Sequence, residues 1–335
     1  MTTTTIQYST PHVDTITALL RDRYDLPEPL TVRFLRRGFN DSFEVRTGSK
    51  TLGVLRLSGS RVSPESVKSE TNFLAFLDKN KLPIAAPIPT HSGELSTQIE
   101  TPDGMRSVVL FHYVDGDEPG HHSAEDAKAQ GITMARIHAA AGTFPHWNVG
   151  GHRLDLDHLL HHPLASVLAL ELLDDVARKS LSALASRLSS AVAAIGGLTW
   201  VRCHGDCHGG NARIARDGPL KGQAIFFDFD DGGPGFLAYD LAVFLWSVSL
   251  QREGYSQWHA FIEGYRSVRP IDPIDLEATH LFVPIRHFWL LGNYAIKTVE
   301  WGSELVSAKW LARQTEYMLK WEQDKLLPSV LLTPS

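Results

Sequence analysis

A short run from Cys203 to Asn211 concentrates side chains that can take part in chemistry: Cys-His-Gly-Asp-Cys-His-Gly-Gly-Asn. Downstream, a strand-like Ala-Ile-Phe-Phe leads directly into the acidic run Asp-Phe-Asp-Asp at 228–231. Transfer of a phosphoryl group from a nucleotide needs one carboxylate that orients the attacking hydroxyl, and oxygen ligands that hold Mg²⁺ on the phosphates. The two runs supply both kinds of group.

The spacing inside these runs predicts a role for each group. Asp206 and Asn211 lie five positions apart, as in the His-Arg-Asp-x-x-x-x-Asn arrangement, in which the aspartate meets the acceptor and the asparagine holds a metal. Asp228 then takes the second metal-binding role. We therefore predict that Asp206 is the catalytic residue and that Asn211 and Asp228 bind Mg²⁺.

A transition-metal cluster is the competing interpretation of the same run. His204, Asp206 and His208 alternate along it, and imidazole and carboxylate are suitable ligands for such a metal. The asparagine and the downstream aspartates fit Mg²⁺ and a nucleotide better, so the magnesium interpretation is preferred. Other histidines farther upstream are irregularly spaced, which is typical of a solvated loop and a helix start. They are His146, His152, His158, His161 and His162.

Two kinds of segment must position these residues. Between 31 and 57, short apolar alternation broken by Gly, Asn and Asp predicts a hairpin and a further strand. A helical period follows over 64–82, and 107–114 is the most β-prone run in the chain. Later segments have the helical period, apart from strand-like character at 201–230. The predicted later helices are 124–141, 164–195, 239–250, 256–265, 275–301 and 308–325.

Length and composition indicate two lobes in an ordinary globular protein. The chain has 335 residues, of which 43% are hydrophobic and 21% are charged, so it can bury a sizeable core and disorder is disfavoured. We predict an N-terminal nucleotide-binding lobe at 1–113, built from an antiparallel sheet plus one helix. Residues 114–335 form a helical lobe with the catalytic loop and the acceptor site. Clefts between unequal lobes are common ligand sites.

Charge and targeting patterns exclude several classes of partner. The chain has 32 Lys and Arg against 38 Asp and Glu, a formal net charge of −6, which argues against a nucleic-acid binder. The first residues lack the basic and apolar regions of a secretory signal, and the apolar stretch at 241–250 is about half the length that crosses a hydrocarbon core. Two cysteines, Cys203 and Cys207, fit a reducing compartment. We expect a cytoplasmic protein without a membrane span.

Three motifs resemble the motif set of the aminoglycoside phosphotransferase and choline kinase superfamily. They are His-Gly-Asp-Cys-His-Gly-Gly-Asn, Phe-Phe-Asp-Phe-Asp-Asp and Ala-Tyr-Asp-Leu-Ala. The catalytic run is especially similar to that of bacterial stress response kinase A and, more distantly, of type II homoserine kinases. The resemblance covers most of the chain. It implies an α+β, two-lobed protein-kinase-like fold with a small β-rich N-lobe and a larger α-rich C-lobe, and ATP and Mg²⁺ as cofactors.

The same resemblance implies roles in the N-terminal part. The segment 37–45 resembles the hairpin that covers the phosphates, Arg56 stands at the position of the phosphate-contacting cation, and Glu70 at that of the acid that pairs with it. Taken alone, Gly38 and Asn40 would indicate an ordinary turn and Glu70 a solvated helix residue.

Further roles come from two other segments of the resemblance. The run at 111–116 resembles the hinge whose backbone meets the adenine edge at His112 and Val114, and His204 and Asp240 correspond to structural supports of the catalytic loop. The implied cofactor-binding set is Gly38, Asn40, Ser42, Arg56, Glu70, His112 and Val114.

Three charged residues have open roles. Arg56 stands where the superfamily more often has Lys, and the two cations bind phosphate with different geometry. Asp230 replaces the Gly of the Asp-Phe-Gly of protein kinases, and it either assists a metal or caps a turn. Arg286, which lies with His287 between apolar residues, binds an anionic substrate group or forms a buried ion pair.

The length between Asp230 and Asp240 bears on the acceptor. About ten residues separate them, too few for the long activation segment that presents peptides in ordinary protein kinases. We therefore expect ATP-dependent transfer of the γ-phosphate to a hydroxyl of a small molecule of the amino alcohol, hydroxy amino acid, aminoglycoside or sugar class. One alternative is a Ser/Thr protein kinase of the stress response kinase A type, which that resemblance implies. A nucleotide-binding module with little turnover is the other, although the intact catalytic and metal-binding residues disfavour it.

Overall fold

A computed structural model of the chain describes residues 6–59, 62–146, 151–249 and 254–324. Its helices are α1 (Val13–Arg23), α2 (Pro64–Lys79), α3 (Ala124–Ala141), α4 (His162–Leu168), α5 (Asp175–Ala194), α6 (Leu237–Ser249), α7 (Gly254–Arg266), α8 (Pro273–Trp301) and α9 (Ala308–Asp324). Its strands are β1 (Leu30–Arg37), β2 (Asp41–Thr47), β3 (Lys50–Leu57), β4 (Thr97–Thr101), β5 (Gly104–His112), β6 (Trp200–Cys203), β7 (Ala212–Ile214), β8 (Ala224–Phe226) and β9 (Gly233–Phe236).

The chain divides into two compact units. The first comprises the described residues within 1–117, 144–151 and 213–230, and the second those within 118–143, 152–212 and 231–335. An N-terminal five-stranded antiparallel sheet is followed by a helical C-terminal region, which confirms the predicted α+β fold class.

The first unit is organised around the sheet in the order β1-β2-β3-β5-β4. Side chains alternate across the strands, so that Phe43 and Val45 of β2 are fully buried. The same core contains Ile16 and Leu20 of α1. Helix α1 was not among the predicted helices. Its buried face consists of few apolar side chains, and they become recognisable as a face only when they meet the sheet.

An aromatic cluster in the first unit fixes the acidic run that follows β8. Phe229 is 2% exposed, and its ring centre lies 6.4 Å from that of Phe73 on α2. Phe73 also contacts Phe144 edge to face, at 5.2 Å. Because Phe229 is anchored in this cluster, the residues on either side of it, Asp228 and Asp230, are held at defined positions.

The second unit is mainly helical, with a short two-stranded sheet of β6 and β9. Helices α3 and α7 pack with their backbones close together, since a Cβ at Gly131 would lie 2.0 Å from the Phe261 carbonyl oxygen. The predicted helix at 164–195 is in fact two helices. The side chain of Asp174 accepts a hydrogen bond from the Ala177 N–H at 2.7 Å and so begins α5 separately from α4.

None of the helices in the described ranges is both long enough and apolar enough to cross a membrane. The apolar run predicted as a buried helix forms α6, and Leu241 and Leu245 on it are almost fully buried. Residue 250 of that prediction lies outside the described residues.

Candidate active site

Arg56 is the centre of a group of side chains in the first unit. We define the Arg56 cluster as Arg56, Glu70, Asp228, Asp230 and Asn40. Arg56 on β3 is 5% exposed, and its two terminal nitrogens each donate to one oxygen of Glu70 on α2, with a distance of 2.8 Å from Nη1 to Oε1. The structure thus contains the ion pair that the resemblance implied.

Burial opposes the charge of the Arg56 guanidinium, but the carboxylates of Glu70, Asp230 and Asp228 outweigh it. The pKa of Arg56 is therefore raised, and the side chain stays cationic. Nη1 of Arg56 also lies 3.6 Å from Oδ1 of Asp228, whose side chain is 31% exposed. Within this cluster a permanent cation is held beside an accessible carboxylate.

Asp228 has a strained backbone. Its φ is 67°, in the left-handed region that residues other than glycine rarely adopt. Such conformations persist where the surrounding structure imposes them, and they are concentrated at functional sites. The next residue, Phe229, is buried.

The turn at 38–40 between β1 and β2 reaches the same cluster. The Gly38 N–H donates to the Asn40 carbonyl oxygen at 2.9 Å. Nδ2 of Asn40 donates to Oδ2 of Asp230 at 2.6 Å. Farther along β2, Ser42 is paired with Arg56, so the two side chains share a face of the sheet. The structure therefore brings five of the predicted cofactor-binding residues together: Gly38, Asn40, Ser42, Arg56 and Glu70.

His112 and Val114 lie farther along the sheet. Arg56 pairs with Val109 on β5, and His112 ends that strand three residues later, about 10 Å away. The His112 N–H donates to the Ala86 carbonyl oxygen at 2.9 Å. Val114 follows the strand, where the backbone leaves the sheet.

Asp206 is the centre of a second group, in the second unit, in the loop after β6. We define the Asp206 cluster as Asp206, Asn211, His208 and Arg286. Nδ2 of Asn211 donates to Oδ2 of Asp206 at 3.0 Å, and Nε2 of His208 lies 3.4 Å from the same oxygen. Oδ1 of Asp206 accepts a hydrogen bond from Nη2 of Arg286. Both carboxylate oxygens are thus held by defined partners.

Burial of Asp206 would raise the pKa of its carboxyl group, but the charge of Arg286 and the hydrogen bond from His208 act in the opposite direction and outweigh it. The pKa of Asp206 is lowered well below its usual range. The carboxylate therefore remains ionised at physiological pH and has a fixed orientation.

Arg286 on α8 forms a buried ion pair, the second of the two roles considered for it. The residue is 2% exposed. Its guanidinium lies 4.3 Å from the ring centre of Trp289 and 5.4 Å from that of Trp246, and Nη1 approaches the Tyr239 hydroxyl at 3.4 Å. Its partner, Asp206, is 80 positions away. Sequence patterns identified both residues as of interest but gave no sign that they meet.

Asp240 holds the backbone of the loop that contains Asp206. This fully buried residue accepts hydrogen bonds from the backbone N–H groups of His204, at 2.7 Å, and Gly205, at 2.9 Å. Gly205 is required because its φ is 86° and a Cβ would lie 2.2 Å from the Asp231 carbonyl oxygen. His138 on α3, which sequence patterns did not identify, contacts Asp240 through Nε2 at 2.9 Å.

His204 is bonded within the same loop, because its Nδ1 accepts the Asp206 N–H at 3.2 Å. In the described part of the chain, no three or more His, Cys, Asp or Glu side chains are grouped to hold a metal ion. Asn211 in the second unit and Asp228 in the first each carry an oxygen donor. Since the amide nitrogen of Asn211 donates to Asp206, its amide oxygen is the atom that it can offer to a cation. An amide oxygen and a carboxylate are hard donors that fit Mg²⁺.

The model of the phosphotransferase enzyme family matches residues 31–271, most of the chain. The chain belongs to the phosphotransferase enzyme family. The phosphotransferase is 34% identical over 317 residues to an uncharacterized protein of Deinococcus radiodurans, across 92% of this chain and 89% of that protein. It is 25% identical to homoserine kinase of Caulobacter vibrioides, over 84% and 85% of the two chains. It is 26% identical to stress response kinase A of Salmonella typhi, over 82% and 81%.

Solved structures share the fold of this phosphotransferase. A microcompartment-associated aminopropanol kinase matches with a TM-score of 0.74 and 21% identity, over 96% of this chain and all of that chain, 100%. Amicoumacin kinase hAmiN, in complex with AMP-PNP, Ca²⁺ and Ami, matches with a TM-score of 0.76 and 18% identity, over 94% and 95%. The superfamily predicted from the three motifs is confirmed, and the protein is an enzyme of the kinase type.

Proposed function

We propose that this enzyme transfers the γ-phosphate of ATP to a hydroxyl group of a small-molecule acceptor. The observation that carries the proposal is the state of Asp206. Its ionised carboxylate accepts a hydrogen bond from Arg286 at Oδ1 and one from Asn211 at Oδ2. Phosphoryl transfer depends mainly on positioning and charge stabilisation. A fixed anion suits the task of accepting a hydrogen bond from the acceptor hydroxyl and aiming its oxygen at phosphorus.

The Arg56 cluster supports the nucleotide side of the proposal. Arg56 is a permanent cation fixed by Glu70, as a residue that neutralises nucleotide phosphates must be. The turn at 38–40 and Ser42 would contact the same phosphates, and the backbone at His112 and Val114 would meet the adenine. This assigns nucleotide binding to an N-terminal lobe at 1–113 and the acceptor to 114–335.

Asn211 and Asp228 would hold Mg²⁺, which neutralises charge on the transferring phosphate. The donor chemistry described above supports this assignment. Asp206 stays outside the metal site in the proposal, because its oxygens are engaged by Arg286, Asn211 and His208. His204 and Asp240 would hold the loop that presents Asp206.

The segment between Asp230 and Asp240 supports a small acceptor. It contains β9, which pairs with β6, and the first residues of α6, so all of it after residue 232 is regular structure. Named relatives include homoserine kinase and an aminopropanol kinase. A protein acceptor is the second candidate, because stress response kinase A is also among the relatives. The free thiols of Cys203 and Cys207 support a cytoplasmic location.

A screen of ATP consumption tests the proposal. The acceptors are hydroxylated amino acids, amino alcohols, aminoglycosides, sugars and a generic protein, each with wild type and with Asp206→Asn. We expect turnover with a small molecule that is lost in the variant. Turnover with the protein alone would favour the second candidate. Stoichiometric zinc whose removal abolishes activity would instead favour a metal role for the histidine run.

A further inference from the structure

Asp230 stands two residues after Asp228, where two roles were considered: a metal ligand or a turn cap. The structure gives this carboxylate a specific partner. Oδ2 of Asp230 accepts the amide N–H of Asn40 at 2.6 Å, across 190 positions of sequence and within one unit. A hydrogen bond to an ionised acceptor is among the stronger kinds.

Both ends of the Asn40 amide are engaged. Its Oδ1 accepts the N–H of Gly59, just after β3, at 3.3 Å, while its Nδ2 donates to Asp230. These two partners determine which end of the amide is oxygen and which is nitrogen. The side chain therefore links the turn at 38–40 to the end of β3 and to the acidic run.

The next residue along the chain is anchored independently. Asp41 is fully buried and accepts a hydrogen bond from Nη2 of Arg106 at 3.1 Å, and Arg106 itself is fully buried. The Arg106 Nε donates to the Ser58 carbonyl oxygen at 2.7 Å. The C-terminal base of the turn is thus fixed by a buried ion pair, and Asn40 provides the link from the turn to the acidic run.

We propose that Asp230 is a positioning residue, which holds the turn at 38–40 against the Arg56 cluster through its hydrogen bond with Asn40. The carboxylate is used for this bond and not for a metal. Asp228 lies 3.6 Å from Arg56 and Asp230 bonds to Asn40, so both carboxylates face the cluster, on either side of the buried Phe229. Of the two carboxylates, that of Asp228 is directed to the ligand and that of Asp230 holds the turn. The expected effect on nucleotide affinity rests on the proposed function above.

The pair can be tested by exchanging its two side chains. Asn40→Asp places a second carboxylate next to that of Asp230, so the hydrogen bond is replaced by repulsion between like charges. Asp230→Asn keeps a hydrogen bond but removes its charge. In the exchange variant, Asn40→Asp with Asp230→Asn, the carboxylate at 40 can accept both the Gly59 N–H and the new amide. Gln98→Glu is the control, because it adds a carboxylate at an exposed position of β4 in the same unit.

The first measurement is the dissociation constant of Mg·ADP by calorimetry on the full chain. We expect Asn40→Asp to weaken binding by about tenfold to a hundredfold, from the usual strength of a hydrogen bond to a charged group. We expect the exchange variant to recover to within a few-fold of wild type. Asp230→Asn should change the affinity by only a few-fold and leave the Mg²⁺ requirement unchanged, and Gln98→Glu should behave as wild type.

The second measurement needs no nucleotide. Hydrogen exchange of the amides at 38–42 should speed up in Asn40→Asp and return to the wild-type rate in the exchange variant. A wild type that fails to bind Mg·ADP would refute the proposed function, and the exchange rates would still decide the role of the pair. Two results overturn the inference: an exchange variant no better than Asn40→Asp in both measurements, or a roughly tenfold higher Mg²⁺ requirement in Asp230→Asn with unchanged exchange rates.

Discussion

The Arg56 cluster and the Asp206 cluster use the same elementary device, a buried arginine bonded to a carboxylate, in opposite ways. In the first unit, both partners of the pair are hidden, since the side chains of Arg56 and Glu70 are each 6% exposed. In the second unit, the side chain of Arg286 is 3% exposed, whereas that of its partner Asp206 is 18% exposed. The accessible carboxylate near Arg56 is instead Asp228, at 31%.

In the second unit, the more buried Arg286 is the support of the more exposed anion, Asp206. In the first unit, both partners are equally buried, and under the proposed function Glu70 holds the cation Arg56 for the phosphates. A buried ion pair is weak evidence of stability by itself, because desolvation offsets the attraction. Its value at both sites is that it fixes the orientation of one charged group.

The largest effect is expected from removing the supported anion. Asp206→Asn should lower kcat by about 10²–10⁴-fold, because the positioned anionic acceptor is replaced by an uncharged amide oxygen, while the Kd of Mg·ADP should stay near wild type. Steady-state kinetics and calorimetry measure the two quantities. Asp22→Asn, at a side chain that is 71% exposed, is the matched control. Activity within a few-fold of wild type in Asp206→Asn would refute the assignment.

Removing the support of that anion should have the next largest effect. Arg286→Lys keeps the charge but loses the planar guanidinium that stacks on Trp289. We expect kcat to fall by up to about 10²-fold, as for a small misplacement of a catalytic group, with little change in KM for ATP. Adding Arg286→Lys to Asp206→Asn should cost little more, since the support then has no anion to hold. A change in KM for ATP at constant kcat would place Arg286 on the nucleotide side.

In the Arg56 cluster the effect should appear in KM for ATP. Arg56→Ala should raise it by about tenfold or more, at the scale of one charge-assisted hydrogen bond, and Arg56→Lys should keep part of the affinity. Glu70→Ala should act through Arg56, so the double variant should be clearly less impaired than the sum of the single losses. Fully additive losses would show that the pair is not a functional unit.

The smallest effect concerns pH and only the second unit. Burial lowers the pKa of His158 and of His287 to about 4, against an ordinary value of about 6.5. The unfolded state therefore binds more protons than the folded state between these pH values. The contribution of the two neutral histidines to the free energy of unfolding is fully present above about pH 6.5 and is lost as the pH falls toward 4. At pH 5 we expect a loss of about 1–2 kcal/mol for each histidine.

Denaturant unfolding at pH 7 and pH 5 measures this loss, with hydrogen exchange to compare the two units. The second unit should weaken more than the first. His287→Gln should reduce the difference between the two pH values. An equal loss in both units would show that these histidines do not control the acid sensitivity.

Features that depend on neighbours close in sequence could be predicted from the sequence alone. Asp206 and Asn211 lie five positions apart in one loop, and the structure bonds them directly. Strands β1 to β3 and helix α3 follow the predicted runs closely, because alternation and helical period are local properties. The three motifs were enough to identify the phosphotransferase family, which the match over 31–271 confirms.

Only the tertiary structure decided which distant groups meet. Arg286 reaches Asp206 across 80 positions, His138 reaches Asp240 across 102, and Asn40 reaches Asp230 across 190. Each partner is a single polar residue, without a periodic pattern that could point to the other. Their contacts arise from helix and sheet packing, which is driven by apolar burial elsewhere in each unit. The sequence therefore determined the family and the candidate residues of the site, and the packing determined which charged neighbours hold those residues in place.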